Sequence, residues 1–105
     1  MLDEGVGVEV FHDATVAVVS VRGELDLSTS PVLGKTLEQF GPEAHVVVNM
    51  ADVSFLDSTS INVILAHHLR MIQGGGSLRI RQPSAPVRSL FQLTALVHLL
   101  EPDDA

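Results

Sequence analysis

Ser58 opens the run Ser58-Thr59-Ser60-Ile61-Asn62-Val63-Ile64-Leu65, directly after Asp57, where polar residues give way to apolar ones at helical spacing. A serine hydroxyl at the mouth of a helix faces unpaired backbone N–H groups and the positive end of the helix dipole. Two uses follow: it caps the helix as it stands, or it carries a phosphate. The cap contributes about 0.5–2 kcal/mol. The phosphate adds about −1.5 to −2 charges and three strong acceptors. Placed beside Asp52 and Asp57, it changes the local potential sharply, and the expected consequence is a switch in partner binding more than a refolding of the domain.

Other residues offer chemistry less specifically. Glu24, Asp26, Asp52 and Asp57 form an acidic rim if the loops after the second and third strands lie at one end of the sheet; the alternative is a solvated acidic loop cluster. Paired carboxylates can hold a divalent metal or perform acid–base work, but nothing in this spacing is specific to either. His12, His45, His67, His68 and His98 show no zinc-ligand spacing, and the adjacent pair His67-His68 point in different directions on a helix. Gly74-Gly75-Gly76 follows a helical pattern and precedes a strand pattern. That is the reverse of the order in a phosphate-binding loop, so the glycines read as a helix stop. Ser58 lacks a Gly-x-Ser-x-Gly elbow and a nameable base, which argues against a serine hydrolase. The sequence therefore predicts no catalytic residue, no metal site and no cofactor.

The elements that must position Ser58 can be read in order. Val8–His12 and Thr15–Val21 are β-branched runs separated by a polar break of hairpin length, and predict an antiparallel pair. Gly23–Leu27 is expected to leave the sheet. Ser28-Thr29-Ser30-Pro31 supplies caps for a first helix carrying Leu33, Thr36, Leu37 and Phe40, which runs to about Gly41-Pro42. His45–Met50, Val-rich and without alternation, predicts a central strand covered on both faces. An acidic turn then leads into a second helix with Ile61, Ile64, Leu65, Leu69 and Ile72 on its buried face. Val63 and Met71 fall off that stripe and are expected to be lightly covered. Ser77–Arg81 predicts a further strand, Ser84 to Phe91 a short third helix, and Val97–Leu100 a final strand or packed tail. Strands alternating with helices after an opening hairpin predict one α/β domain over 1–105 with a mixed sheet.

Whole-chain properties narrow the function. The 105 residues suffice for one core. With 46% hydrophobic and 18% charged residues the chain is expected to fold compactly and to keep some apolar surface for a partner. Six basic against thirteen acidic residues leave a net charge of −7, which repels nucleic acid and anionic membrane. Cysteine is absent, excluding disulfides, thiolate metal sites and a cysteine nucleophile. No secretory pattern or apolar run of spanning length is visible, and the expectation is a soluble, cytoplasmic protein.

Taken together, Gly23-Glu24-Leu25-Asp26, the segment Val48–Thr59, the Gly74–Gly76 stop, Leu78-Arg79-Ile80, and Pro86–Leu93 with Leu96 resemble the STAS domains of bacterial anti-sigma factor antagonists. The likeness covers almost the whole chain in order. Its most specific part is Asp52-Val53-Ser54-Phe55-Leu56-Asp57-Ser58-Thr59. It implies a small mixed sheet of four to five strands covered by three to four helices, and a role in partner switching. The unphosphorylated antagonist binds an anti-sigma factor, often a serine kinase, and phosphorylation reverses this. By position in the motif the family's phosphoacceptor falls on Ser58. The protein is then a substrate of a kinase and of a metal-dependent serine phosphatase, and is not itself an enzyme.

The expected docking surface comprises Asp57, Ser58, Thr59, Ser60 and Val63 with Glu24 and Asp26 on a neighbouring loop. One departure stands out: Ser60 occupies the place where the family usually has glycine, so kinase recognition is expected to be weakened or redirected, or the phosphosite shifted to Thr59 or Ser60. Two rivals remain. One is a STAS scaffold or subunit of a signalling or lipid-transport complex that never meets a kinase; the other is a nucleotide-binding or hydrolytic protein using the acidic rim.

Overall fold

The computed structural model describes residues 5–101; the ends of the expected 1–105 domain lie outside them. The chain opens with an antiparallel hairpin, β1 (Val6–Asp13) and β2 (Val16–Leu25). Its two-residue loop is Ala14-Thr15, with Ala14 at φ 56°. A first helix, α1 (Ser30–Glu38), crosses to β3 (His45–Leu56), which lies parallel to β2. A second helix, α2 (Ser58–Gln73), crosses to β4 (Ser77–Arg81), parallel to β3. The sheet order is β1-β2-β3-β4. Both crossovers move in the same direction along the sheet, and right-handed connections therefore place α1 and α2 on one face. A third helix, α3 (Ala85–Leu93), and a short 3-10 turn at Val97–Leu99 complete the described chain.

The core lies between the helices and one face of the sheet. Ala17, Val19 and Val21 of β2, Val46, Val48 and Met50 of β3, and Leu78 and Ile80 of β4 are buried beneath Leu33 and Leu37 of α1, Ile61, Ile64 and Met71 of α2, and Val87 and Phe91 of α3. The strand register sets Ala17, Val46 and Leu78 in one row and Val19, Val48 and Ile80 in another. The opposite face carries Phe11, Val18, Val47 and Arg79 in one row, and Phe11 is 53% exposed. Leu100 and Glu101 cover the outer edge of β4. Leu100 bridges Ile80 in parallel, Glu101 N–H donates to the Ile80 carbonyl at 2.8 Å, and Arg81 pairs with Glu101 at 2.8 Å. Val97–Leu100 is thus a packed tail with one bridge.

Five expectations need correction. Gly23–Leu25 stays in the sheet, and β3 continues through the expected acidic turn to Leu56. The β2–β3 ladder survives two irregularities, between Ser20 and Arg22 and between Gly23 and Glu24; they break the alternation that marks a strand, so the segment reads as a turn. The first helix stops at Glu38, short of Gly41. On α2 the buried stripe is Ser60, Ile61, Ile64 and Met71, whereas Leu69 and Ile72 are half exposed, at 56% and 52%. Met71, expected to be lightly covered, is fully buried. The stripe passes through His68, whose ring contacts the Leu78 carbonyl at 3.3 Å; an apolar count skips a histidine and so turns the face by about one position.

The sequence behind α2 also explains its end. Gly75 adopts φ 91°, a conformation cheap only for glycine. Gly76 N–H donates to the Met71 carbonyl at 2.8 Å and to that of Pro42 at 3.1 Å, closing the helix onto the loop before β3. Arg70 ties the same region together from the other side: its guanidinium donates to the carbonyls of Phe40 at 2.9 Å and Leu37 at 3.1 Å. One helix thereby caps the C-terminus of another.

Candidate functional site

Parallel pairing brings the C-terminal ends of β2 and β3 together, Glu24 opposite Phe55 and Leu25 opposite Leu56. Asp57 N–H donates to the Leu25 carbonyl at 3.1 Å, extending that ladder by one residue before α2 begins. Glu24, Asp26, Asp57 and Ser58 therefore share one end of the sheet. Asp52 does not join them. It pairs with Arg22 earlier in the ladder and lines a groove on the open face with Glu9, Phe11, Asn49 and Gln82. The acidic rim thus comprises Glu24, Asp26 and Asp57.

The first rim loop is organised by Asp26. One carboxylate oxygen accepts from Ser28 N–H at 3.0 Å, Ser28 hydroxyl at 2.9 Å and Thr29 N–H at 3.0 Å, and lies 3.0 Å from the Thr29 hydroxyl. The Thr29 hydroxyl also donates to the Glu24 carbonyl at 2.6 Å. The Ser28 hydroxyl first, then the Thr29 hydroxyl and N–H, hold the Asp26 carboxyl below its ordinary value of 3.8. Gly23 sets the approach to this loop at φ 104°, where an added Cβ would collide with the Gly5 carbonyl oxygen.

Asp57 is the N-cap of α2, and its carboxylate accepts from Ser60 N–H at 3.1 Å. The Ser60 hydroxyl lies 3.4 Å from the same oxygen and is fully buried. Of the two uses open to a hydroxyl at this helix mouth, the capping one is taken by Asp57. Ser58 is the first helical residue and is exposed; Thr59 behind it is half-buried. Ser60 was expected on the contact surface, but its hydroxyl faces inward to the cap and presents nothing to solvent. Val63 is half-buried and packs toward Gly34 of α1, where a Cβ would stand 3.6 Å from it.

Two exposed apolar residues join the rim that sequence reasoning passed over: Leu27, 73% exposed, and Phe55, 47% exposed. Leu27 directly follows Asp26 in the sequence, whereas the place of Phe55 opposite Glu24 is visible only in the strand register. Among the described residues no group of three or more His, Asp or Glu side chains could hold a metal ion, and no helix is long and apolar enough to cross a membrane. Chemically, the site offers an exposed hydroxyl at a helix N-terminus inside an acidic, partly apolar rim.

A four-stranded mixed sheet with parallel crossovers, and a serine at the N-terminus of the helix after the third strand, define a small α/β domain. The family described as "Mlab, STAS domain" matches residues 9–101, and the chain belongs to the STAS domain family. It is similar to the anti-sigma-B factor antagonist of Bacillus subtilis (strain 168), 28% identical over 97 residues covering 91% of this chain and 89% of the relative. In structure it resembles an anti-sigma factor antagonist from Mycobacterium paratuberculosis, with a TM-score of 0.81 at 22% identity over 95% of this chain and 86% of the other. It also resembles the Bacillus cell fate determinant SpoIIAA in its phosphorylated form, with a TM-score of 0.71 at 18% identity over 93% of each chain.

Proposed function

We propose that this protein is an anti-sigma factor antagonist that binds an anti-sigma factor with serine kinase activity while Ser58 is unphosphorylated, and releases it once Ser58 carries a phosphate. The observation that carries this reading is the division of labour at the start of α2: Asp57 makes the cap and Ser58 is exposed beside it. The hydroxyl is therefore available without cost to the helix. The named relative, and the phosphorylated state in which a protein of this fold has been solved, support it. A phosphate there adds about −1.5 to −2 charges to a rim already holding Asp57, Asp26 and Glu24. The helix N-terminus tolerates that charge, so the fold is kept while the rim becomes markedly more negative and loses the exposed hydroxyl as a contact.

In this reading the chain is a substrate of a kinase and of a serine phosphatase, acts in the cytoplasm, and catalyses nothing itself. Leu27 and Phe55 supply apolar contact, and Glu24, Asp57, Ser58 and Thr59 the polar rim. Incubation of the protein and its Ser58→Ala variant with candidate anti-sigma kinases and ATP, followed by mass spectrometry, tests it. Phosphate on Ser58 alone, with Ser58→Ala still binding and Ser58→Asp or Ser58→Glu binding at least tenfold more weakly, is the expected result. Equal binding by all forms would remove the switch.

One observation favours a second reading, in which the domain is a scaffold or subunit of a signalling or lipid-transport complex and is never phosphorylated. Ser60 stands where the resembled antagonists usually have glycine, and it is locked under Asp57. Stoichiometric co-purification with a stable partner, indifferent to Ser58, would distinguish this reading.

A further inference from the structure

The two edges of the sheet are treated differently. The outer edge of β4 is covered by Leu100 and Glu101, whereas among the described residues no strand pairs with the outer edge of β1. That edge runs for eight residues, Val-Gly-Val-Glu-Val-Phe-His-Asp, in unbroken register with β2. It contains no proline, lysine or bulge, the usual devices that blunt an edge. Val10 is 38% and Phe11 53% exposed on it.

Its hydrogen-bonding groups can be assigned. Glu24 N–H donates to the Gly5 carbonyl at 2.7 Å, and pairs of one kind recur every second residue in an antiparallel ladder. Gly7, Glu9, Phe11 and Asp13 thus bond inward to β2, and Val6, Val8, Val10 and His12 turn their N–H and C=O outward.

We propose that this edge pairs antiparallel with β1 of a second copy of this chain, Val10 opposite Val10, joining the two sheets into one. Charge narrows the register and the place of Arg22 selects within what remains. Centring the pair on Glu9 sets Glu9 against Glu9, and centring it on Phe11 sets Glu9 against Asp13; both oppose like charges. Centred on Val10, Val8 meets His12, Glu9 meets Phe11 and Gly7 meets Asp13, with no acid directly opposite an acid. The Gly7–Asp13 match has a further complement. A Cβ built on Gly7 would stand 2.5 Å from the guanidinium carbon of Arg22 and 2.7 Å from its two terminal nitrogens, so the Arg22 head lies over Gly7. In this register it meets the Asp13 carboxylate of the second copy, twice by symmetry. A self-complementary edge of this kind makes an isologous pair that closes, with about six backbone hydrogen bonds at its centre.

Sedimentation equilibrium over a concentration series, on the full chain without any partner, tests the pairing. The expected result is a mass rising from 11.2 kDa toward twice that value. Val10→Pro, which removes an outward N–H and spares the β2 ladder, returns the protein to monomer. Asp13→Arg and Arg22→Glu each weaken association at least tenfold, and the double variant restores it. Circular dichroism of each variant guards against loss of fold. A monomer at every concentration, or a dimer indifferent to Val10→Pro and not rescued by the charge exchange, overturns the proposal. Ser58 takes no part in this edge, so the outcome is independent of the switch.

Discussion

Neighbouring serines and an aspartate at the start of α2 have three separate tasks. Asp57 caps, Ser60 fills the buried space beneath the cap, and Ser58 is left exposed. Replacing Asp57 by Ala removes the acceptor for Ser60 N–H and leaves the buried Ser60 hydroxyl without its nearest oxygen. The expected loss is about 1–3 kcal/mol, at the upper end of a lost cap because a buried group is orphaned as well; urea denaturation checks it. Ser58→Ala is expected to change stability by less than about 0.5 kcal/mol, as an exposed substitution away from any cap or core contact. This contrast was only half legible. The sequence placed Ser58 at the helix mouth, but a Asp-Ser-Thr-Ser string offers four candidate caps, and only backbone geometry selects among them.

At the level of elements, the connection between α1 and α2 rests on Arg70 and its neighbour His67, which no motif in the sequence announces. Arg70 reaches Phe40 and Leu37, thirty or more residues away, and a long-range cap leaves no local spacing to read. Arg70→Met is expected to destabilise the fold by about 1.5–3 kcal/mol, because two helix-end carbonyls lose a charged donor, measurable by chemical denaturation. The histidines add a pH dependence. Burial first, then the Arg70 charge, lowers the His67 value; burial, with His98 and Arg79, lowers that of His68 against the opposing Leu78 carbonyl. The unfolded chain therefore takes up protons first as pH falls below the ordinary 6.5. Stability is complete above that value and declines beneath it. Thermal melts between pH 8 and pH 5 are expected to show this slope, and His67→Gln with His68→Gln to flatten it. What was legible at this scale followed from periodicity: the hairpin, β4 and the extent of α2 were found from apolar spacing, while the buried face of α2 was turned because that spacing skips His68. β3 beyond Met50 was missed because its register irregularities erase alternation.

The whole molecule is one-sided, with helices packed on one face of the sheet and the other face open. The sequence conveyed the layer order, since strand–helix alternation is a property of the entire chain. The open face overturns the expected cover on both sides of β3: Val18 and Val47 look as apolar as the core residues beside them, and Val47 is itself buried although it lies outside the core cluster. The hairpin loop carries a last consequence, for the order of folding. Among the described residues β1 and β2 form the one local pairing in the sheet, whereas β2–β3 and β3–β4 each wait for a helix crossover, and the loop-closure cost of those parallel pairings makes them slow. Ala14, at φ 56°, sits at the first position of a two-residue loop, where glycine is favoured and alanine is strained. Ala14→Gly relieves that strain by roughly 1 kcal/mol. If the hairpin is in place when the crossovers close, stopped-flow refolding accelerates severalfold while unfolding hardly changes. If β1 docks last, the same substitution slows unfolding and leaves the refolding rate as it was, so a single loop residue dates the arrival of the edge strand.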